Sequence, residues 1–212
     1  MRRVLVLSLL ALALPMAAWA DSITIVNQFG GLLVSTSGIV SHQSQLVQFN
    51  TVIAAPNHAI GQVNYATGAL SSGTIRYGGV FNGGGYFDVL GSGQWAKSLA
   101  GSFCPSPCKN PVTLFTGSFS GPVLWTLTSA PGASLTYTLS GNIVGTLYNG
   151  RIVTGSTVQN IYSTNAQLAL GIGHVKIGTT GLSGVPEPGT LGLLGTGLVG
   201  IAGMARRKLM RA

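Results

Sequence analysis

The stretch Ser134-Leu135-Thr136-Tyr137-Thr138-Leu139 decides the fold class of this protein. Apolar and small polar residues alternate strictly along it, so its three apolar side chains lie on one face of an extended strand. Residues 123–128 alternate in the same way, with a tryptophan among the apolar positions. This period of two is typical of strands that bury one face, and it predicts a β domain.

Turn signals on both sides of these stretches predict further strands. Asn149-Gly150 lies between two short apolar runs and predicts a hairpin over residues 145–154, because Asn-Gly accepts the positive φ angles of a two-residue type I′ turn. Other turns are expected at Asn82 to Gly85 and at Pro131-Gly132. Residues 46–55 and 94–100 could each hold a turn or two of helix. The prediction for residues 21–184 is all-β: a β-sandwich of about 8–12 short strands, with a jelly roll as one form of it, since sheets of that size usually split into packed layers.

The charge of the chain argues against a nucleic-acid partner. The formal net charge is +8, but much of it lies at the two ends of the chain. Residues 21–184 carry five basic and two acidic side chains, which are Arg76, Lys97, Lys109, Arg151, Lys176, Asp21 and Asp88. Basic residues this sparse make no electrostatic footprint for a phosphate backbone.

The N-terminus has the pattern of an export signal. Arg2 and Arg3 precede an apolar run, and small residues at Ala18 and Ala20 fit the A-x-A cleavage pattern. Residues 1–20 are therefore predicted to be a signal peptide that signal peptidase removes. The apolar run is shorter than the roughly 20 residues that a membrane crossing needs, which disfavours an uncleaved anchor.

The C-terminus has three parts in a fixed order. Val185-Pro186-Glu187-Pro188 precedes an uncharged run over residues 189–205, and the basic cluster Arg206, Arg207 and Lys208 begins the segment 206–212. A helix of that run is just long enough to cross a bilayer, so a single transmembrane helix is predicted. Basic residues that follow such a helix stay cytoplasmic, which leaves residues 21–184 on the extracytoplasmic side of the inner membrane. An ordinary C-terminal anchor has a similar layout.

These C-terminal residues resemble the PEP-CTERM sorting domain of exported proteins of Gram-negative bacteria. The resemblance covers residues 185–212 and implies that an integral-membrane exosortase, a protease or transpeptidase, recognises the tail and processes it near the motif. Carriers of this domain are associated with exopolysaccharide and biofilm. Glu187 and the two prolines would then be recognition elements, and the prolines would keep the motif extended.

Cys104 and Cys108 are the two cysteines of the chain. In an oxidising compartment such a close pair is expected to form a disulfide that closes a surface loop. A redox-active pair would more typically have the C-x-x-C spacing, and two cysteines without nearby histidines fall short of a zinc site.

The residue inventory argues against catalysis, and neither a cofactor nor a metal is expected. Asp88 is the one carboxylate side chain after Asp21 in the β domain, so paired-carboxylate glycoside chemistry lacks a partner. His42, His58 and His174 are scattered singly, and no G-x-S-x-G elbow occurs.

The function expected from the sequence is that of an exported, noncatalytic structural or interaction protein of the cell surface or extracellular matrix, with extracellular polysaccharide as a partner. The alternative is a carbohydrate-binding module with an aromatic platform. The aromatic side chains considered for that platform, which more often fill a core, are Tyr77, Phe81, Tyr86, Phe87, Trp95 and Trp125.

Overall fold

The fold is a closed β-barrel, which the computed structural model describes for residues 22–101 and 110–184. Thirteen strands belong to one sheet: β1 (Ser22–Gln28), β2 (Gly30–Ser35), β3 (Gly38–Phe49), β4 (Val52–Ile53), β5 (Gly61–Ala66), β6 (Leu70–Thr74), β7 (Gly78–Phe81), β8 (Gly84–Gly91), β9 (Val112–Phe119), β10 (Val123–Ser129), β11 (Ser134–Leu147), β12 (Ile152–Thr164) and β13 (Ile172–Gly184). The two short helices are α1 (Gln94–Ala100) and α2 (Asn165–Ala169).

The barrel closes because the last strand pairs with the first part of the chain. β13 is antiparallel to β12 on one side and to β1 and β2 on the other. Phe29, with φ at +54°, separates β1 from β2, and the two together occupy one position between β13 and β3. The ring then continues through β5, β8, β9 and β11 back to β12, which makes eight strand positions.

The predicted all-β class is therefore correct, but the predicted β-sandwich is wrong. Alternation of apolar and polar residues only shows that one face of each strand is buried, and a barrel and a sandwich satisfy it equally well. Three neighbouring strands, β11 to β13, are 13 or 14 residues long, so the expectation of short strands is wrong as well. An eight-stranded barrel is just wide enough for its own side chains to fill the interior.

Glycine permits close approach between two of the barrel strands. Gly117 of β9 and Gly145 of β11 are register partners, and a Cβ on either residue would collide with the opposite backbone. The Phe115 ring lies over this point, with its Cζ atom 2.7 Å from where a Cβ would stand on either glycine. Glycine at both positions therefore allows the two strands to approach closely without a collision.

Most of the barrel interior is apolar and aromatic. Phe87 contacts three other rings, stacking on Tyr65 and meeting Phe115 and Phe119 edge to face. The three apolar residues of the stretch 134–139 are buried as predicted. Edge-to-face and stacked ring pairs of this kind add to the energy of area burial alone.

A second sheet segment extends from β11 beside the barrel. β10 pairs with the first half of β11, β9 pairs with the second half, and β7 and β6 follow β10 outwards. Trp125 and Tyr137 stack here with ring centroids 4.3 Å apart. The indole Nε1 donates to the Ile75 carbonyl and the phenol donates to the Arg76 carbonyl, both at 2.7 Å, so the buried pair fixes the β6–β7 turn.

Local predictions are confirmed with two differences. The hairpin over residues 145–154 exists, but Gly150 is the one residue of Asn149-Gly150 with positive φ and the loop is longer than two residues. Residues 94–100 form α1, whereas residues 46–55 are mainly strand. Among the described residues, no helix is both long enough and apolar enough to cross a membrane. The predicted transmembrane run 189–205 lies outside them, so the structure does not support that helix.

Candidate binding surface

An open trough of roughly 580 Å³ crosses the outer face of β1, β13, β12 and β11 near the chain ends of the barrel. Two cross-strand rows of polar residues line it, together with the apolar residues Ile23, Ile143 and Leu182. One row contains Thr24, Gly181, Ser156 and Asn142, and the other contains Ser22, Ser183 and Thr154. None of the described residues that line this polar trough has an ionisable side chain.

Glycine forms the floor of the polar trough. Gly181 lies between Thr24 and Ser156 in register, and a Cβ placed on it would have no heavy atom within 4 Å. Its neighbour Gly155 packs so tightly that a Cβ would meet the Gly181 carbonyl. The outer surface of a barrel is normally convex, and here the absent side chain leaves a depression over the backbone.

The polar trough offers hydroxyl groups and one amide to solvent. Ser22, Thr24, Asn142, Thr154 and Ser156 are exposed. Hydroxyls donate and accept hydrogen bonds, and an amide does both through separate atoms, so the set can match the hydroxyls of a sugar. It supplies no group for general acid or base catalysis at neutral pH.

Two of the three histidines lie in one outer row of the barrel. His174 of β13 and His42 of β3 are both register partners of Gly31 of β2, so all three residues face outwards together. Both histidines are exposed, and a Cβ on Gly31 would meet nothing within 4 Å. We call these three residues the Gly31 row. His58 lies apart from it, in the loop between β4 and β5.

Asp88, on the outer face of β8, is hydrogen-bonded to the neighbouring strand β9. Its Oδ1 accepts a 2.7 Å hydrogen bond from the Thr116 hydroxyl. Burial raises the pKa of Tyr86, and the Asp88 carboxylate adds to that rise. Within the described part of the chain, no three His, Cys, Asp or Glu side chains are grouped so that they could hold a metal ion.

Three of the six aromatic residues considered for a sugar platform are part of the core. Phe81, Phe87 and Trp125 are buried in the core. Tyr77 is 73% exposed, but it stands in the β6–β7 turn under the Arg76 guanidinium, 5.8 Å from its ring centroid. Trp95 is partly buried against the core and lies 6.3 Å from Phe49, centroid to centroid.

The remaining predicted site residues lie outside the described residues. They are Ala18 and Ala20 of the signal cleavage site, Cys104 and Cys108, the motif Val185, Pro186, Glu187 and Pro188, and the basic residues Arg206, Arg207 and Lys208. The structure consequently gives no support for the disulfide.

Comparison with known families identifies the tail. Residues 184–208 match the family model of the PEP-CTERM protein-sorting motif. No significant match to the chain was found among curated proteins or among solved structures. The match begins at the last residue of β13 and includes Pro186-Glu187-Pro188, so the resemblance seen in the sequence is confirmed.

Proposed function

We propose that this exported protein, which an exosortase-type system sorts through its PEP-CTERM motif, is a noncatalytic interaction protein that binds extracellular polysaccharide through the polar trough. Export and sorting follow from the motif. Binding to extracellular polysaccharide is the part that we propose here. We further propose that the tail holds the protein in the inner membrane until it is processed, after which the protein resides at the cell surface or in the matrix.

The observation that carries this proposal is the composition of the polar trough. An uncharged polysaccharide presents many hydroxyl groups and no charge, and the trough presents Ser, Thr and Asn side chains with no ionisable group among its described lining residues. A site of this kind binds through several neutral hydrogen bonds, each worth about 0.5–1.5 kcal/mol net, so affinity comes from repetition along a polymer.

The position of the trough also supports a role in keeping the processed protein bound to the polysaccharide. Ser22 is the first residue of the described barrel and Ser183 is nearly the last. The two are register partners at one end of the barrel. β13 ends at Gly184, where the sorting match begins. β13 is held between β12 and β1, so processing beyond Gly184 would leave every strand that lines the trough in place.

The test compares four proteins produced in the native bacterium: wild type, a variant with Pro186-Glu187-Pro188 replaced by three alanines, Gly181→Val, and the matched control Gly31→Val. Gly181 and Gly31 are both exposed strand glycines whose Cβ would meet open space, so valine at either position should leave the barrel folded. Valine at position 181 fills the floor of the trough.

We expect wild type and Gly31→Val to be found in the polysaccharide fraction, and the motif variant in the membrane fraction. Intact mass should show that the tail is absent from the first two proteins and still attached to the motif variant. Gly181→Val should be processed normally but bind purified exopolysaccharide about tenfold more weakly, or about 1.4 kcal/mol. The polysaccharide should keep its chain length. Equal retention of Gly181→Val and wild type, or shortening of the polymer, would contradict the proposal.

A further inference from the structure

We propose that the Gly31 row is a binding site for a divalent transition-metal ion of the Zn²⁺ class, held by the imidazoles of His42 and His174. This site is separate from the polar trough and does not depend on its function. Imidazole nitrogen is the side-chain donor best suited to zinc, copper and nickel.

The register places the two donors at a suitable separation. His42 and His174 stand on strands that flank β2, at two strand spacings or about 10 Å. Two bonds from a zinc ion to nitrogen cover about 4 Å of that distance. The two rings, each projecting outwards from its Cβ, have to cover the remainder by leaning over Gly31.

The space between the two rings is open. A Cβ at Gly31 would have no heavy atom within 4 Å, so no side chain from β2 separates the histidines. Any other residue at this position would place its side chain in the middle of the row. The two imidazoles would provide two ligands, and water would complete the coordination sphere, which makes the ion exchangeable.

The interior of the same barrel shows side chains meeting across a glycine. Asn27 of β1 and Gln159 of β12 are both register partners of Gly178 of β13. Their amides form two hydrogen bonds above that glycine, at 2.9 and 3.2 Å. In the barrel interior, side chains on two flanking strands therefore bridge a strand whose residue between them is glycine.

The surroundings of the Gly31 row set its selectivity. Tyr162 follows His174 in register on β12, and its hydroxyl lies 3.2 Å from the Ser134 hydroxyl, on the side away from His42. Lys176 is exposed two residues after His174, and its charge repels every divalent cation alike, so the preference for Zn²⁺ depends on the imidazole nitrogens. No carboxylate belongs to the row, so hard cations such as Ca²⁺ and Mg²⁺ lack the oxygen ligands that they require.

The test is titration of the full chain, carrying a tag without histidine, with Zn²⁺ alone. Cys104 and Cys108 are reduced and alkylated in every sample, so thiols contribute nothing. The variants are His42→Ala, His174→Ala and Gly31→Val, and His58→Ala is the matched control because His58 is exposed in a separate loop.

We expect one Zn²⁺ per chain. Loss of an outer-shell partner already costs about 10–100-fold in metal affinity, so loss of either ligand should weaken binding by at least that factor. Gly31→Val should also weaken it, whereas His58→Ala and Gly181→Val should bind as wild type does. NMR should show the ring signals of His42 and His174 shifting together as zinc is added.

Two results would overturn the proposal. One is His42→Ala or His174→Ala binding zinc as tightly as wild type. The other is His58→Ala losing as much affinity as those variants, which would indicate scattered surface binding. Unfolding temperatures without metal check that each variant is folded. Gly31→Val leaves the polar trough intact, so failure of the metal site and failure of polysaccharide binding are distinguishable.

Discussion

The buried row at Gly178 and the exposed row at Gly181 are three residues apart on the same strand, and glycine serves opposite purposes in them. At Gly178 the amides of Asn27 and Gln159 fill the space that a Cβ would need, and a Cβ would collide with both. At Gly181 a Cβ would meet open space. The same residue type therefore makes room for a bonded core contact in one row and leaves a surface depression in the other.

The buried row belongs to a hydrogen-bond network at the closure of the barrel. Asn27 also donates to the Ser44 hydroxyl at 2.7 Å, and Gln159 donates to the Thr157 hydroxyl at 2.8 Å. Thr180 donates to Thr157 at 2.8 Å. All five side chains are buried, and they come from β1, β3, β12 and β13. The first and last strands of the barrel are thus joined by directional bonds in addition to apolar packing.

The largest effect should come from Gly178→Ala. Its Cβ displaces both amides, and buried amides that lose their partners cost about 1–3 kcal/mol each, so the free energy of unfolding should fall by about 2–6 kcal/mol. Urea denaturation at neutral pH measures this change.

Gly181→Ala is the matched control, on the same strand and equally a glycine-to-alanine change. Its stability should remain within about 0.5 kcal/mol of wild type, as for ordinary surface substitutions. Similar losses in the two variants would mean that strand flexibility, not the collision with the amides, determines the cost at Gly178.

A smaller loss is expected for Gln159→Leu, which keeps the approximate volume but removes the amide. Asn27 and Thr157 then each lose a partner, while Asn27 keeps its bond to Ser44. The free energy of unfolding should fall by about 1–3 kcal/mol in urea denaturation.

The double variant Asn27→Leu with Gln159→Leu shows whether the loss comes from unpaired groups. Removing both partners of a buried hydrogen bond can be nearly neutral, so the double variant should lose less than the sum of the two single losses. Strict additivity would show that the two amides act independently of each other.

The sequence predicts the strands and the sorting tail better than it predicts the barrel or its surfaces. Alternation in residues 134–139 depends on the side chains of that stretch alone, and the tail motif is contiguous, so both are readable locally. Closure depends on β13 pairing with β1 across nearly the whole chain, and no local pattern encodes it.

The glycine rows show why the candidate sites were missed. Thr24, Gly181 and Ser156 lie far apart in the sequence and become neighbours only through register. His42 and His174 look isolated in the sequence for the same reason, although a glycine in an alternating strand is a signal of close approach or an open position. Their residue types can be read from the sequence, whereas their arrangement depends on the pairing of the strands.

Among the changes to buried residues, the smallest effect should come from Tyr65→Phe, which tests an interior polar group that lacks the bonds of the Gly178 row. Tyr65 is fully buried, and neither its hydroxyl nor that of Ser41 completes a well-formed hydrogen bond among the described residues. Losing an unsatisfied hydroxyl should leave stability at neutral pH unchanged or raise it by up to about 1 kcal/mol. Urea denaturation near neutral pH makes this measurement.

The pH dependence of the same variant isolates the phenol. Burial raises the pKa of Tyr65 well above its model-peptide value of 10.0, and the Ser41 hydroxyl opposes this only in part. The unfolded chain therefore loses this proton at a lower pH than the folded protein does. The contribution of the protonated phenol to the free energy of unfolding is complete below pH 10 and falls by about 1.4 kcal/mol per pH unit above it. Tyr65→Phe should lose stability less steeply than wild type above pH 10, and parallel curves would mean that Tyr65 already ionises in the folded barrel.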